Sequence, residues 1–207
     1  FEVDDKPTWS NSMVERTTWE GWAEQSGVNE AVPLGNTLFN ARTSKGEPVN
    51  VALWGMEPGS FIDPGADQGQ PIGNDPYGVV VSRMLVEDNN VEIGDTIVLD
   101  RVLTELKVVG IVNAHNNIAH TPVVYAPFRL WAEASYGPPG GALPGESLPD
   151  ILYDFATVVA LDLEETADFA AIDEAQFTVT LDKPMSFVAS TGFTAERDSV
   201  RINQGFL

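Results

Sequence analysis

The chain has no cysteine, only two histidines and 11 basic residues against 31 acidic ones. Each shortage removes a class of function. Without cysteine there is neither a disulfide framework nor a thiolate zinc site. A formal charge of −20 leaves no Lys/Arg surface able to neutralise phosphates, so nucleic acid is not an expected partner. Attraction to anionic headgroups is disfavoured for the same reason. The longest apolar stretches, 78–81 and 156–163, fall well short of the ~20 residues that cross a bilayer. No basic segment precedes Asp4 and Asp5, so no leader peptide is read at the start, and the chain reads as a segment cut from something larger. Recognisable catalytic motifs are missing too: there is no G-x-S-x-G elbow, H-E-x-x-H pair, P-loop or dinucleotide fingerprint. Carboxylates are so abundant that no catalytic pair can be singled out. The expectation is a protein that is not an enzyme and carries no cofactor.

What is present is a foldable chain. Its 207 residues are 43% hydrophobic and 20% charged, ordinary for a globular protein and unlike a disordered one. Met13, Val14, Thr17, Thr18, Trp19, Trp22 and Ala23 recur at helical spacing before Gly27, which predicts a helix over Ser12–Ser26. Short segments at Val28–Val32, Asn36–Thr43 and Val49–Gly55, bounded by Gly, Pro or Asn, read as strands, the last two joined by a turn at 44–47. The Pro/Gly-rich stretch 57–77 is an irregular connection. Strands are predicted at Val79–Ser82, Asp95–Leu99, Leu106–Val112 and Val123–Ala126, with helical turns at Arg83–Asp88 and a short helix at Pro127–Ser135. A second break, 137–149, precedes a strand at Thr157–Asp162, an acidic helix at Glu165–Ala171, a strand at Phe177–Thr180 and a helix at Lys183–Ala189. The fold class is therefore α+β, with a β-rich block (59–149) inserted into a domain split between 1–58 and 150–207.

Several segments carry a resemblance. Val79-Val80-Val81-Ser82-Arg83, Glu92-Ile93-Gly94-Asp95-Thr96-Ile97-Val98-Leu99 and Leu106-Lys107-Val108-Val109-Gly110-Ile111-Val112 resemble, in order, the core of MacB-type periplasmic domains. Upstream, Leu53-Trp54-Gly55-Met56-Glu57-Pro58-Gly59-Ser60-Phe61 is similar to that family, as are Val123-Val124-Tyr125-Ala126-Pro127-Phe128 and Ser190-Thr191-Gly192-Phe193-Thr194-Ala195-Glu196 downstream. The resemblance implies the extracytoplasmic domain of an FtsX/MacB-type ABC-transporter permease in the plasma membrane. Its split part would be porter-like and its insert Sabre-like. It also implies a second permease copy and a cytoplasmic ATPase as partners, reached through membrane helices. Within the family the chain is most similar to Gram-positive permeases described as haem exporters. An FtsX-like regulator of a cell-wall hydrolase and a secreted binding module are the competing functions.

The candidate cargo-binding residues are His115, His120 and Glu196. The two imidazoles share one polar loop and are potential iron ligands, although solvated loop histidines look the same in sequence. Glu196 falls, by resemblance, close to the membrane surface, where a carboxylate would meet a cargo leaving the bilayer. Trp19 and Trp22 are candidate interface residues if exposed, and core residues otherwise. Asp63, Asp67 and Asp75 could form a calcium loop, but their spacing matches no EF-hand, so no metal is expected.

Overall fold

The computed structural model describes residues 2–3, 6–7, 12–118, 120–138, 148–168 and 171–172. The segments expected at Phe177–Thr180 and Lys183–Ala189 lie outside them, as does Glu196. The chain forms two compact units, one from 1–33 with 154–207, the other from 34–153. The strands expected at Asn36–Thr43 and Val49–Gly55, which the sequence groups with the N-terminal part, pair with strands of the middle region and belong to the second unit.

In the first unit, β1 (Glu2–Val3) and β2 (Lys6–Pro7) pair antiparallel. β3 (Val14–Glu15) pairs with β12 (Phe155–Ala156), joining the two ends of the chain. That pairing explains why α1 covers only Arg16–Ala23 and not the expected Ser12–Ser26: its first predicted turn is taken up as strand. The Arg16 N–H donates to the Asp154 carbonyl at 2.8 Å, and its guanidinium pairs with the Asp154 carboxylate at 2.8 Å. The two expected strands before Thr43 are one, β4 (Val28–Thr43), running through Pro33. β13 (Val158–Leu163) pairs with β4; of the helix expected over Glu165–Ala171, Glu165 and Thr166 form a turn, while Ala171 is helical and the Ile172 N–H donates to the Asp168 carbonyl at 3.1 Å.

The second unit is built on a closed sheet. β5 (Pro48–Met56) pairs antiparallel with β4 and parallel with β11 (Thr121–Pro127). β11 pairs antiparallel with β7 (Gly78–Ser82), and β7 pairs parallel with β9 (Glu105–Val112). β9 pairs antiparallel with β8 (Thr96–Leu99), which returns to β4. The ring β4-β5-β11-β7-β9-β8 therefore closes on itself as a six-stranded barrel. β6 (Gln68–Gly69) and β10 (Asn117–Ile118) extend it at β9 and β11.

Apolar β-branched runs make this possible. Val51, Leu53, Val79, Val80, Val81, Ile97, Leu99, Leu106, Val108 and Val124 have no exposed surface. Each such side chain contributes roughly 1.5–3 kcal/mol on leaving water. β7 is buried at all five positions, the pattern of a strand covered on both faces. α2 (Arg83–Asn89) leaves β7 and stops at Asn90, whose left-handed conformation is one asparagine tolerates. α3 (Phe128–Tyr136) follows β11 directly and turns Phe128, Leu130, Trp131, Ala132 and Ala134 inward. A tight helical turn at Asp150–Tyr153 packs on α3.

Candidate functional site

The two histidines stand on one loop-and-hairpin element between β9 and β11. Both are exposed, His120 at the turn of the β10–β11 hairpin with a left-handed backbone. His115 is held from both sides: its Nε2 lies 2.8 Å from the Glu87 carboxylate on α2, and its carbonyl accepts from the Asn117 amide at 3.1 Å. The loop is pinned below by Arg83, whose backbone N–H donates to the Ala114 carbonyl and whose guanidinium donates to Asn113. Asn116 donates to the hydroxyl of buried Tyr125, and burial pushes that phenol's pKa up. His115 thus sits on a braced loop with its ring in solvent, next to one carboxylate. No group of three or more metal-ligating side chains occurs among the described residues.

The three aspartates of the 57–77 connection are not gathered round a common centre. Both Asp63 oxygens accept backbone N–H groups, from Gly59 and Gly65, each at 2.8 Å. Asp67 accepts from the Asn113 backbone at 2.7 Å. Asp75 accepts from the Tyr77 N–H at 3.0 Å and pairs with Lys107 at 3.3 Å. The Tyr77 N–H is the chief cause, with Lys107 adding to it, of an Asp75 pKa below the usual carboxylate range. Each carboxylate is occupied in tying down loop backbone, as aspartates in Gly/Pro-rich connections commonly are.

Trp19 and Trp22 are 5% and 2% exposed. The aromatic surface that would have made them interface residues is absent, and both are core residues of α1. Trp19 also carries the Arg16 guanidinium 5.5 Å from its ring centre.

Sequence reasoning missed a concavity of the second unit. It is a groove of about 650 Å³ with Tyr77, Val102, Leu103 and Leu148 among its apolar lining. Asp75, Glu105, Glu133 and Lys107 supply the charges. One wall is braced by a compact cluster. Tyr153 donates to Glu133 at 2.7 Å, Arg129 pairs with Glu133 at 3.3 Å, and the Arg129 guanidinium lies 4.0 Å from the Tyr153 ring centre. Burial, with the Glu133 carboxylate adding to it, pushes the Tyr153 phenol up to about 12, so it stays a donor at any physiological pH.

A six-stranded mixed barrel and a second unit made from both chain ends are the parts of a domain whose class is an extracytoplasmic domain of an ABC-transporter permease, as the family match shows. The chain belongs to the family of MacB-like periplasmic core domains, whose model matches residues 4–177. Among solved structures, the extracellular domain of the noncanonic ABC-type transporter YknZ from Gram-positive bacteria is similar at 12% identity, TM-score 0.59, covering 89% of this chain and 87% of that one. The periplasmic region of MacB from Actinobacillus actinomycetemcomitans is similar at 12% identity, TM-score 0.55, covering 93% and 82%. A domain of a putative permease protein from Porphyromonas gingivalis is similar at 13% identity, TM-score 0.58, covering 87% and 76%. No curated protein matches.

Proposed function

We propose that this domain couples ATP-driven movement of permease membrane helices to export of a hydrophobic small molecule, working as a pair of copies alongside a cytoplasmic ATPase. The family match across 4–177 carries the reading. The barrel adds a physical argument, since a closed sheet with a fully buried interior transmits a push from one end to the other with little internal give. The domain's part in the cycle is mechanical, and no covalent chemistry is assigned to it.

The cargo we propose is haem, held through an imidazole of His115 or His120, with Glu196 as a further contact. Both rings stand in solvent on one braced element, where iron could displace water or the Glu87 contact. Titration of the protein with haemin, followed in the Soret band, tests this. The expected result is a saturable red shift that His115→Ala or His120→Ala abolishes and the other leaves intact. No saturable shift, or one that survives both substitutions, would remove haem from the proposal and leave the coupling role standing.

A further inference from the structure

The chain passes between its two units at two places, Pro33–Leu34 and Tyr153–Asp154. The first crossing lies inside β4. The second has an unusual make-up, since segments that join compact units are commonly exposed and rich in glycine, proline and polar residues. Residues 150–156 read Asp-Ile-Leu-Tyr-Asp-Phe-Ala, with no glycine and no proline. The tight helical turn Asp150–Tyr153 packs on α3, and β12 (Phe155–Ala156) pairs with β3. Asp154 alone stands between these two hydrogen-bonded elements.

Each side of this crossing is held by its own unit. In the second unit Tyr153 is buried, its hydroxyl donates to Glu133 at 2.7 Å, and the Arg129 guanidinium lies 4.0 Å from its ring centre, both partners being on α3. In the first unit Asp154 is bonded twice to Arg16: its carbonyl accepts the Arg16 N–H and its carboxylate takes the guanidinium, each at 2.8 Å. A part-exposed ion pair alone holds little. Here the backbone bond closes the same pair, and Arg16 opens α1, which is rooted in the core by Trp19 and Trp22. Consecutive Cα atoms across a trans peptide are ~3.8 Å apart, so the anchor on α3 and the anchor on α1 are joined with no spare chain between them. Both chain ends belong to the first unit, so along the backbone a pull on either end reaches the second unit only through the two crossings. We propose that the Tyr153–Asp154 junction is the mechanical relay of the domain, passing movement of α1 to α3, with Arg16 and Asp154 as its first clamp and Tyr153, Glu133 and Arg129 as its second. The inference rests on the coupling reading above and is independent of the cargo.

The test uses the full-length permease with its ATPase, spin-labelled once per copy at Thr17→Cys on the exposed side of α1 or at Glu47→Cys in the β4–β5 turn. Double electron–electron resonance then compares the nucleotide-free and vanadate-trapped states. With the junction intact, the distances at both labels should shift. Inserting Gly-Gly between Tyr153 and Asp154 adds roughly 7 Å of slack. That insertion should leave the shift at Thr17, which also shows that the protein has folded and assembled, and abolish the shift at Glu47. Tyr153→Phe combined with Arg129→Ala keeps the chain length, removes two contacts of the second clamp and should shrink the Glu47 shift in the same way, so the proposal stays testable if the insertion does not fold. An undiminished Glu47 shift in either protein would overturn the proposal and assign the relay to β4. No shift at either label with the junction intact would instead sink the coupling reading, and the relay with it.

Discussion

Gly35→Ala is expected to cost about 3 kcal/mol of stability, the upper part of the range for overpacking a filled core. Gly35 and Gly55 are directly opposite each other in the β4–β5 ladder, and the Trp131 indole lies over both. A Cβ on Gly35 would fall 1.9 Å from a ring carbon of Trp131, and one on Gly55 2.2 Å from its Cβ. The ring has nowhere to turn. Its Nε1 donates to Thr37 Oγ1 at 3.0 Å, the Thr37 and Ser135 hydroxyls are 2.9 Å apart, and Phe128 and Tyr136 rings each sit 5.3 Å away. Trp131→Ala should itself cost about 3–5 kcal/mol. In the Trp131→Ala background, however, the added methyl enters vacated space, so Gly35→Ala should then cost less than about 1 kcal/mol. Urea unfolding of the four proteins in this cycle measures the coupling, and additive costs would contradict the packing described.

Gly110→Val should be comparably damaging and should have no such rescue. Gly110 lies on β9 where the β7–β9 register shifts, and it pairs with Gly69 on β6. A Cβ there would meet the Gln70 carbonyl oxygen at 2.4 Å and the Ala66 Cβ at 2.9 Å. The first obstacle is backbone, which no rotamer change relieves. The expected outcome is detachment of the 57–77 connection, through loss of the bonds from Asp67 to Ile111 and from Gln70 to Val109, and a stability loss of about 3 kcal/mol. Hydrogen exchange at the Asp67 and Gln70 amides reports it directly: full protection in Gly110→Val would contradict the assignment.

These two glycines show where sequence reading stops. The runs at 79–82, 96–99, 106–112 and 123–126 announce strands because Val, Ile and Leu cluster between turn residues, and each forms close to its expected place. Their closure into a barrel is not visible locally. It depends on the parallel pairings β5–β11 and β7–β9, which join segments far apart in the chain and leave no turn signature. α1 is shorter than its spacing predicts because Val14 and Glu15, which continue the helical pattern, pair instead with Phe155–Ala156, a pairing that only the folded chain supplies. His115 and His120 were legible as a loop pair, but the brace from Glu87 was not. The exposure of Leu103 is not legible either, because an apolar residue between two strands reads as core until its φ and exposure are known.

The central claim is mechanical coupling, and movement of the domain in the assembled transporter tests it most directly. Because the chain has no cysteine, Glu47→Cys in the exposed β4–β5 turn places one spin label per copy of this domain. Inter-label distances would be recorded by double electron–electron resonance in the full-length permease with its ATPase, nucleotide-free and trapped with ATP and vanadate. The account predicts a distinct distance distribution in each state; identical distributions would contradict it.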